Sequence, residues 1–303
     1  MLQYYLEKLG SKDLPEFMIK YLDSSSMKRL KNVSCFCAMD YASKDIYDFR
    51  ERISRFDHSL STSLLTYRLT GSRKATLAGL FHDISTPCSS HVIDYMNKDY
   101  ERQESTEEYT ESIIMSDKYL VSCLESDGID PLEVIDFKKY SVVDTERPKL
   151  CADRLDGIIL PGIAWTKNIT LEDIDSIVDD ITIFKNEDGE EEIGFKTYEI
   201  ALRTLQLSDE INAYCHTNED NYMMHLLANI MKYSIDKNYF SYQALFIYDE
   251  EYLFSYLNTI ADSYLQEMLD TFKNIKLSEV PYAPLPKVKS KELNPMVNGV
   301  RIK

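Results

Sequence analysis

Four side chains on three helix-like stretches have the types and spacing to hold a metal ion: His58, the adjacent pair His82 and Asp83, and Asp153. The pair lies in "GLFHDIST", residues 79–86, just behind the apolar residues Leu77, Ala78, Leu80 and Phe81. A carboxylate placed beside residues that want burial needs a partner, because an unpaired buried charge is costly. A cation shared with the neighbouring imidazole is one such partner. Imidazole and carboxylate together suit a first-row transition ion, with Mg²⁺ possible where waters complete the shell. Two adjacent residues do not share one stripe of an ideal helix, so the pair is expected at a helix end, where both can turn toward one point.

The elements that must position these residues are mainly helical. "ERISRFDHSLSTSLLTYRL", 51–69, repeats apolar residues at 53, 56, 60, 64, 65 and 69, a helical period. "SRKATLAGLFHDI", 72–84, opens on a serine cap. "TPCSSHVIDYM" turns at Pro87 and re-enters a helix, "STEE" at 105–108 reads as a capping box heading the next one, and "RPKLCADRLDGIIL", 147–160, reads as a helix closed by Pro161-Gly162. "DDITIFKNEDGEEEIGFK", 179–196, alternates around a central "NEDGE" and is the clear hairpin signal. Two helices are expected between 197 and 236 and two more between 249 and about 274. The last 23 residues are proline-rich, carry five Lys or Arg against one Glu, and read as an extended basic arm. The expected organisation is a single helical domain over 1–275, with a core at 27–160, a looser helical part at 161–275 and an arm at 276–303.

With 44% hydrophobic residues in 303, the chain has material for a large core. Nine glycines and nine prolines favour long helices over a many-stranded sandwich. The net charge of −17 argues against an extended nucleic-acid partner or an anionic membrane. It leaves room for a small anion, since a few arginines and a metal can dominate a pocket. No apolar run approaches the length of a membrane span, and the first residues lack the basic start and apolar stretch of a signal peptide. The six cysteines show no CxxC spacing, which suits reduced thiols and a cytoplasmic location.

"SRFDHSL" at 54–60, "GLFHDISTPCSSH" at 79–91 and "CADRLDG" at 151–157 together resemble the HD-domain phosphohydrolases, most closely the branch of the deoxynucleoside triphosphate triphosphohydrolases. The resemblance implies an all-α HD bundle, here with a small β-hairpin. It also implies a divalent ion (Mn, Fe, Co, Ni, Zn or Mg) held by His58, His82, Asp83 and Asp153. Arg55 and Arg154 match the phosphate-binding arginines of that pattern, and His91 its second histidine, with Asp94 placed to orient it. Arg55 stands three residues before His58 and so shares its helix face. The implied activity is metal-dependent hydrolysis of a phosphate ester, a nucleotide in that branch, with Asp83 ligating the ion and orienting water. A 5′-nucleotidase or pyrophosphohydrolase is the alternative enzyme, and a non-catalytic metal-containing nucleotide sensor the alternative of another class. Assembly into a homo-oligomer is implied as well.

The sequence departs from that branch at several places. Ser85-Thr86 stands for Gly-His, and Gln103-Glu104 stands for a His-Glu pair whose histidine donates the leaving-group proton. Glu104, Glu107 or Glu108 is then the candidate acid. Gly157, Pro161, Cys35 and Phe36 stand where sugar-reading residues are expected. Elsewhere Cys35 and Cys37, His225 and Trp165 read as packed residues, and Ser89-Ser90 lacks an orienting third group for nucleophilic catalysis.

Overall fold

The structure is a computed structural model, which describes residues 1–100, 105–282, 284 and 292–302. Among the described residues it has sixteen α-helices and one small four-stranded sheet, so the chain is mainly α with a minor β element. No helix among them is long and apolar enough to cross a membrane. Four helices build the site: α1 (Leu2–Lys8), α2 (Arg55–Thr70), α3 (Arg73–Phe81) and α4 (Ala152–Ala164).

Local chemistry sets where α2 and α3 begin and end. Ser54 caps α2 in a reciprocal box with Asp57, and Gly71, at φ +63°, closes it in the left-handed conformation that glycine adopts without penalty. Ser72 accepts the Ala75 N–H and starts α3 at once. The two helices pack closely because Gly79 has no side chain. A Cβ there would stand 3.3 Å from Thr66 Oγ1 and 3.5 Å from the Ser63 backbone. This close approach brings the end of α3 beside the first turn of α2. The third wall is α4, whose Leu155 and Ile159 pack in one core with Leu64 and Leu65 of α2. A second core joins α3 to the helices over 114–137, and a third joins the helices Asn218–Asp236 and Ser263–Asn274.

Three local expectations need correction. The helix expected to end at Pro161-Gly162 runs on to Ala164. Pro161 gives up one N–H bond to the preceding turn, but its carbonyl accepts the Trp165 and Thr166 N–H groups at 2.8 and 3.0 Å and closes the last turn. Gly162 lets Ile169 pack against it at 3.3 Å from a would-be Cβ. The "STEE" box heads no helix directly: 105–109 is turn, and the helix begins at Thr110 with no side-chain cap. Here Ser105 instead donates its N–H to Asp94, and Thr106 gives its carbonyl to Ser85.

The hairpin is present as β1 (Ile181–Lys185) and β2 (Glu191–Phe195), with Ile183 opposite Ile193. It is not alone. β3 (Met296–Val297) pairs parallel to β2, and β4 (Val300–Arg301) folds back on β3. Gly194 permits this, since a Cβ there would meet the Met296 carbonyl oxygen at 2.7 Å. The end of the stretch expected to be an extended arm is therefore folded onto the hairpin. The physical reason is a buried charge: Glu192 is fully enclosed and Arg301 neutralises it.

Candidate metal centre

α3 ends at Phe81, so His82 and Asp83 fall in the turn that follows, where the backbone no longer holds them on separate faces. His58 projects from the first turn of α2 and Asp153 from the first turn of α4. The His58 and His82 Nε2 atoms lie 3.2 Å apart. Asp153 Oδ1 is 3.0 Å from the first and 3.5 Å from the second. Asp83 Oδ2 is 3.7 Å from each. Ligand atoms about 2.1 Å from one ion stand about 3.0 to 3.4 Å apart in octahedral or tetrahedral arrangement, so most of these separations have the scale of a coordination shell.

Hydrogen bonding decides which nitrogens face that point. His58 Nδ1–H donates to Asp156 Oδ2 at 2.6 Å, and His82 Nδ1–H donates to the Gly79 carbonyl at 2.8 Å. Both acceptors lack protons to give, so each neutral imidazole keeps its proton on Nδ1 and turns an Nε2 lone pair toward the other. Two lone pairs at that distance, flanked by two carboxylates, call for a positive charge between them. A divalent ion fits this donor set. The same surroundings favour positive charge on the ligands themselves: burial alone would lower the His58 pKa, yet Asp153, Asp156 and Asp83 push it up to about 10. His82 shifts the same way; burial opposes its charge but Asp83 and Asp153 outweigh it. Burial raises the carboxyls of Asp83 and Asp153, but the surrounding cations hold both below the usual carboxylate range.

The outer contacts fix this geometry. Asp156, fully buried, also accepts from Tyr5 of α1 at 2.7 Å, so a Tyr5–Asp156–His58 chain orients the first ligand. Arg55 pairs with Asp83 at 2.7 Å and donates to Ser90 at 3.2 Å, whose hydroxyl in turn reaches the Ser34 carbonyl. Glu51, four residues before Arg55, binds the amino terminus instead, and Asp57 is taken by the Ser54 cap. Asp94 is fully buried and holds His91 Nδ1 at 2.9 Å. Arg154 spends its donors on the Lys149 and Thr145 carbonyls and on Asp144, bracing the loop that precedes α4.

These groups open into one cavity of about 1060 Å³. His58, His82, Asp83, Asp153, Arg55, Arg154 and His91 all line it, while Asp94 stands behind His91. Glu104 and Gln103 lie outside the described residues. Part of the lining is aromatic: Phe36 stacks on Phe49 with centroids 4.7 Å apart, Tyr47 lies parallel to Phe49, and Trp165 tilts against all three. Cys35 and Cys37 line the cavity, and burial pushes the Cys37 thiol up to about 12, so it is no nucleophile at neutral pH. His225 packs edge-on against Tyr95, away from the ion site. Ser89 and Ser90 are buried structural groups, with Ser90 serving Arg55.

Sequence reading missed Asp156, and with it Asp144, Arg147 and Lys149 on the cavity wall. Asp156 did carry a signal: it sits three residues after Asp153 and among Leu155, Ile158 and Ile159, on a face that must be buried. The loop residues carried none, because loop contacts follow no period. Asp144, Cys151 and Asp153 also come within 4.8 Å of one another, but Arg154 already neutralises Asp144.

No family model matches the chain. Over 183 residues it is 26% identical to "Metal-dependent phosphohydrolase cns2" of Cordyceps militaris, covering 60% of this chain and 50% of that protein. Over 108 residues it is 32% identical to "Uncharacterized protein YdhJ" of Bacillus subtilis, covering 34% of this chain and 32% of that protein. The chain thus spans half or less of the curated relatives it matches. Among solved structures, a hypothetical protein from Aquifex aeolicus superposes with a TM-score of 0.60 at 18% identity, over 86% of this chain and 71% of that one. That likeness concerns the fold alone.

Proposed function

We propose, on the support that similarity to a metal-dependent phosphohydrolase gives to the HD superfamily, that this chain hydrolyses a phosphate ester, a nucleotide in the manner of the dNTP triphosphohydrolases. The observation that carries the reading is the pair of Nε2 lone pairs converging with Asp83 and Asp153 beside a buried arginine, in one cavity. His58, His82, Asp83 and Asp153 would hold the ion. A bound divalent ion supplies acidified water and polarises a phosphoryl oxygen.

The chain's own residues do the rest. Asp83 orients the attacking water, and Arg55, held between Asp83 and Ser90, meets charge that develops on the phosphoryl oxygens. His91, fixed through Nδ1 by Asp94, keeps Nε2 for a proton transfer to the leaving oxygen. Arg154 holds the 144–150 wall against the phosphate of the ester. The stacked Phe36 and Phe49, with Trp165 tilted against them, offer apolar surface to a base.

One observation favours a less highly charged ester as a second reading. Lys138, Lys149 and Arg154 on the cavity wall each already face a carboxylate of the same wall: Glu107 at 2.8 Å, Asp188 at 2.6 Å and Asp144 at 3.3 Å. Such a wall suits a nucleoside monophosphate better than a triphosphate.

The test is release of phosphate, pyrophosphate and triphosphate from dNTPs, NTPs, monophosphates and cyclic dinucleotides, with Mn²⁺, Fe²⁺, Co²⁺ or Mg²⁺. Triphosphate release supports the first reading, and phosphate release from monophosphates the second. Nucleotide binding with no turnover under any metal would replace both with a sensor.

A further inference from the structure

Residues 141–151, which carry much of one cavity wall, form turns and irregular chain with no ladder of their own. Their backbone and side-chain groups must therefore find partners elsewhere. Some come from α4, through Arg154 and the Ala152 and Asp153 N–H groups on the Val142 and Val143 carbonyls, and others from the sheet and the segment 292–301. The Leu150 N–H donates to Glu192 at 3.2 Å, the Pro148 carbonyl accepts from Asn294 N–H at 2.8 Å, and Arg147 donates to the Glu292 carbonyl at 3.4 Å. Lys149 reaches Asp188 and Glu190 in the hairpin turn at 2.6 and 3.1 Å.

One residue closes this arrangement. Arg301 forks onto Glu192 with contacts of 2.7 and 2.6 Å, and onto Glu187 of the hairpin turn with contacts of 2.6 and 2.9 Å. Glu192 is fully buried, so its charge is tolerable only while Arg301 is there. Without that cation Glu192 would be left uncompensated in the interior and would swing toward water, and the Leu150 N–H would lose its acceptor. Leu150 stands three residues before Asp153, in the stretch that sets the entry to α4, and one residue after Lys149.

We propose that Arg301 is a positioning residue for the phosphate side of the cavity. Through Glu192 and Glu187 it sets the 144–150 wall, and with it Arg147 and Lys149, although it lies more than 140 residues away in sequence. The inference rests on the reading of the cavity as a phosphate-ester site.

The full-length chain tests it in two measurements: hydrogen exchange of the 144–150 amides, and calorimetric affinity of the Mn²⁺-loaded protein for inorganic phosphate. Arg301→Ala is expected to speed exchange at 144–150 and to weaken phosphate at least fivefold, with Mn²⁺ affinity held within about twofold. Arg203→Ala removes an Arg–Asp173 pair of similar kind outside the cavity wall, and is expected to leave both readouts unchanged. Unaltered exchange in Arg301→Ala, wild-type phosphate affinity, or the same losses in Arg203→Ala would overturn the proposal. Should Arg301→Ala not fold, Arg301→Lys carries the test, since one ammonium cannot fork across both glutamates: a threefold loss supports it and wild-type affinity overturns it. Wild-type protein that binds Mn²⁺ but no phosphate would instead overturn the phosphate-site reading, leaving exchange at 144–150 to decide for or against the clamp.

Discussion

His58 depends on a carboxylate that touches no substrate. Asp156 fixes its tautomer, and Tyr5 fixes Asp156. Outer-shell partners of this kind typically change metal affinity 10- to 100-fold when altered. Asp156→Asn should therefore weaken Mn²⁺ binding by about one to two orders of magnitude in calorimetry, because an amide can offer His58 a donor and turn its ring to the wrong tautomer. His91→Gln should behave differently: Mn²⁺ affinity unchanged, turnover down by about 10²–10⁴, the range of a lost general acid. A second buried carboxyl makes a separate statement. Glu250 accepts the Ser89 N–H at 3.1 Å in full burial, with Asp40 close by and Arg52 the nearby cation. Burial first, then Asp40, pushes its pKa up to about 8. The folded state therefore holds a proton that the unfolded chain loses near pH 4.5, so this group's contribution to stability falls as pH rises from about 5 to 8. Glu250→Gln, which keeps the acceptor for Ser89, should flatten that part of the Tm–pH profile; an unchanged slope would contradict the assignment.

At the scale of elements, the site is made by two helices meeting at a glycine. Gly79→Val would drive its branches into Thr66 and Ser63 of α2. Overpacking of this kind costs about 1–3 kcal/mol. Chemical denaturation should show that loss, and Mn²⁺ affinity should drop with it, because the displaced element carries His82 and Asp83 at its end. The sequence announced these two helices clearly, since Ser54, Gly71 and Ser72 are local signals and the apolar period between them is strong. The position of His82 and Asp83 at a helix end was legible for the same reason. Pro161 misled because its one lost N–H bond is outweighed by the bonds its carbonyl accepts from Trp165 and Thr166 and by the burial of Gly162 and Ala164, which no local pattern shows. The box at Ser105 misled because Asp94 takes the Ser105 N–H that Glu108 would have bonded, and Ser85 holds the next carbonyl in the turn.

The whole molecule places its charge in a way that composition hides. A net charge of −17 coexists with a cavity lined by the buried Arg55, His58 and His82, and the basic residues near the chain's end are not all solvated. Arg301 sits on Glu192, a long-range pairing between two short strands that no local pattern reveals. An ion bound to the folded chain and not to the unfolded one stabilises it by about 2.7 kcal/mol at a concentration one hundred times Kd. Chelation should accordingly lower Tm by several degrees, and added Mn²⁺ should restore it. The most direct test of the central claim is nucleotide hydrolysis by the chelated protein titrated with Mn²⁺, in wild type beside Asp83→Ala. Turnover that rises with Mn²⁺ to about one ion per site, and is absent in the variant, is the result predicted. Turnover independent of the ion, or unchanged in Asp83→Ala, would contradict it.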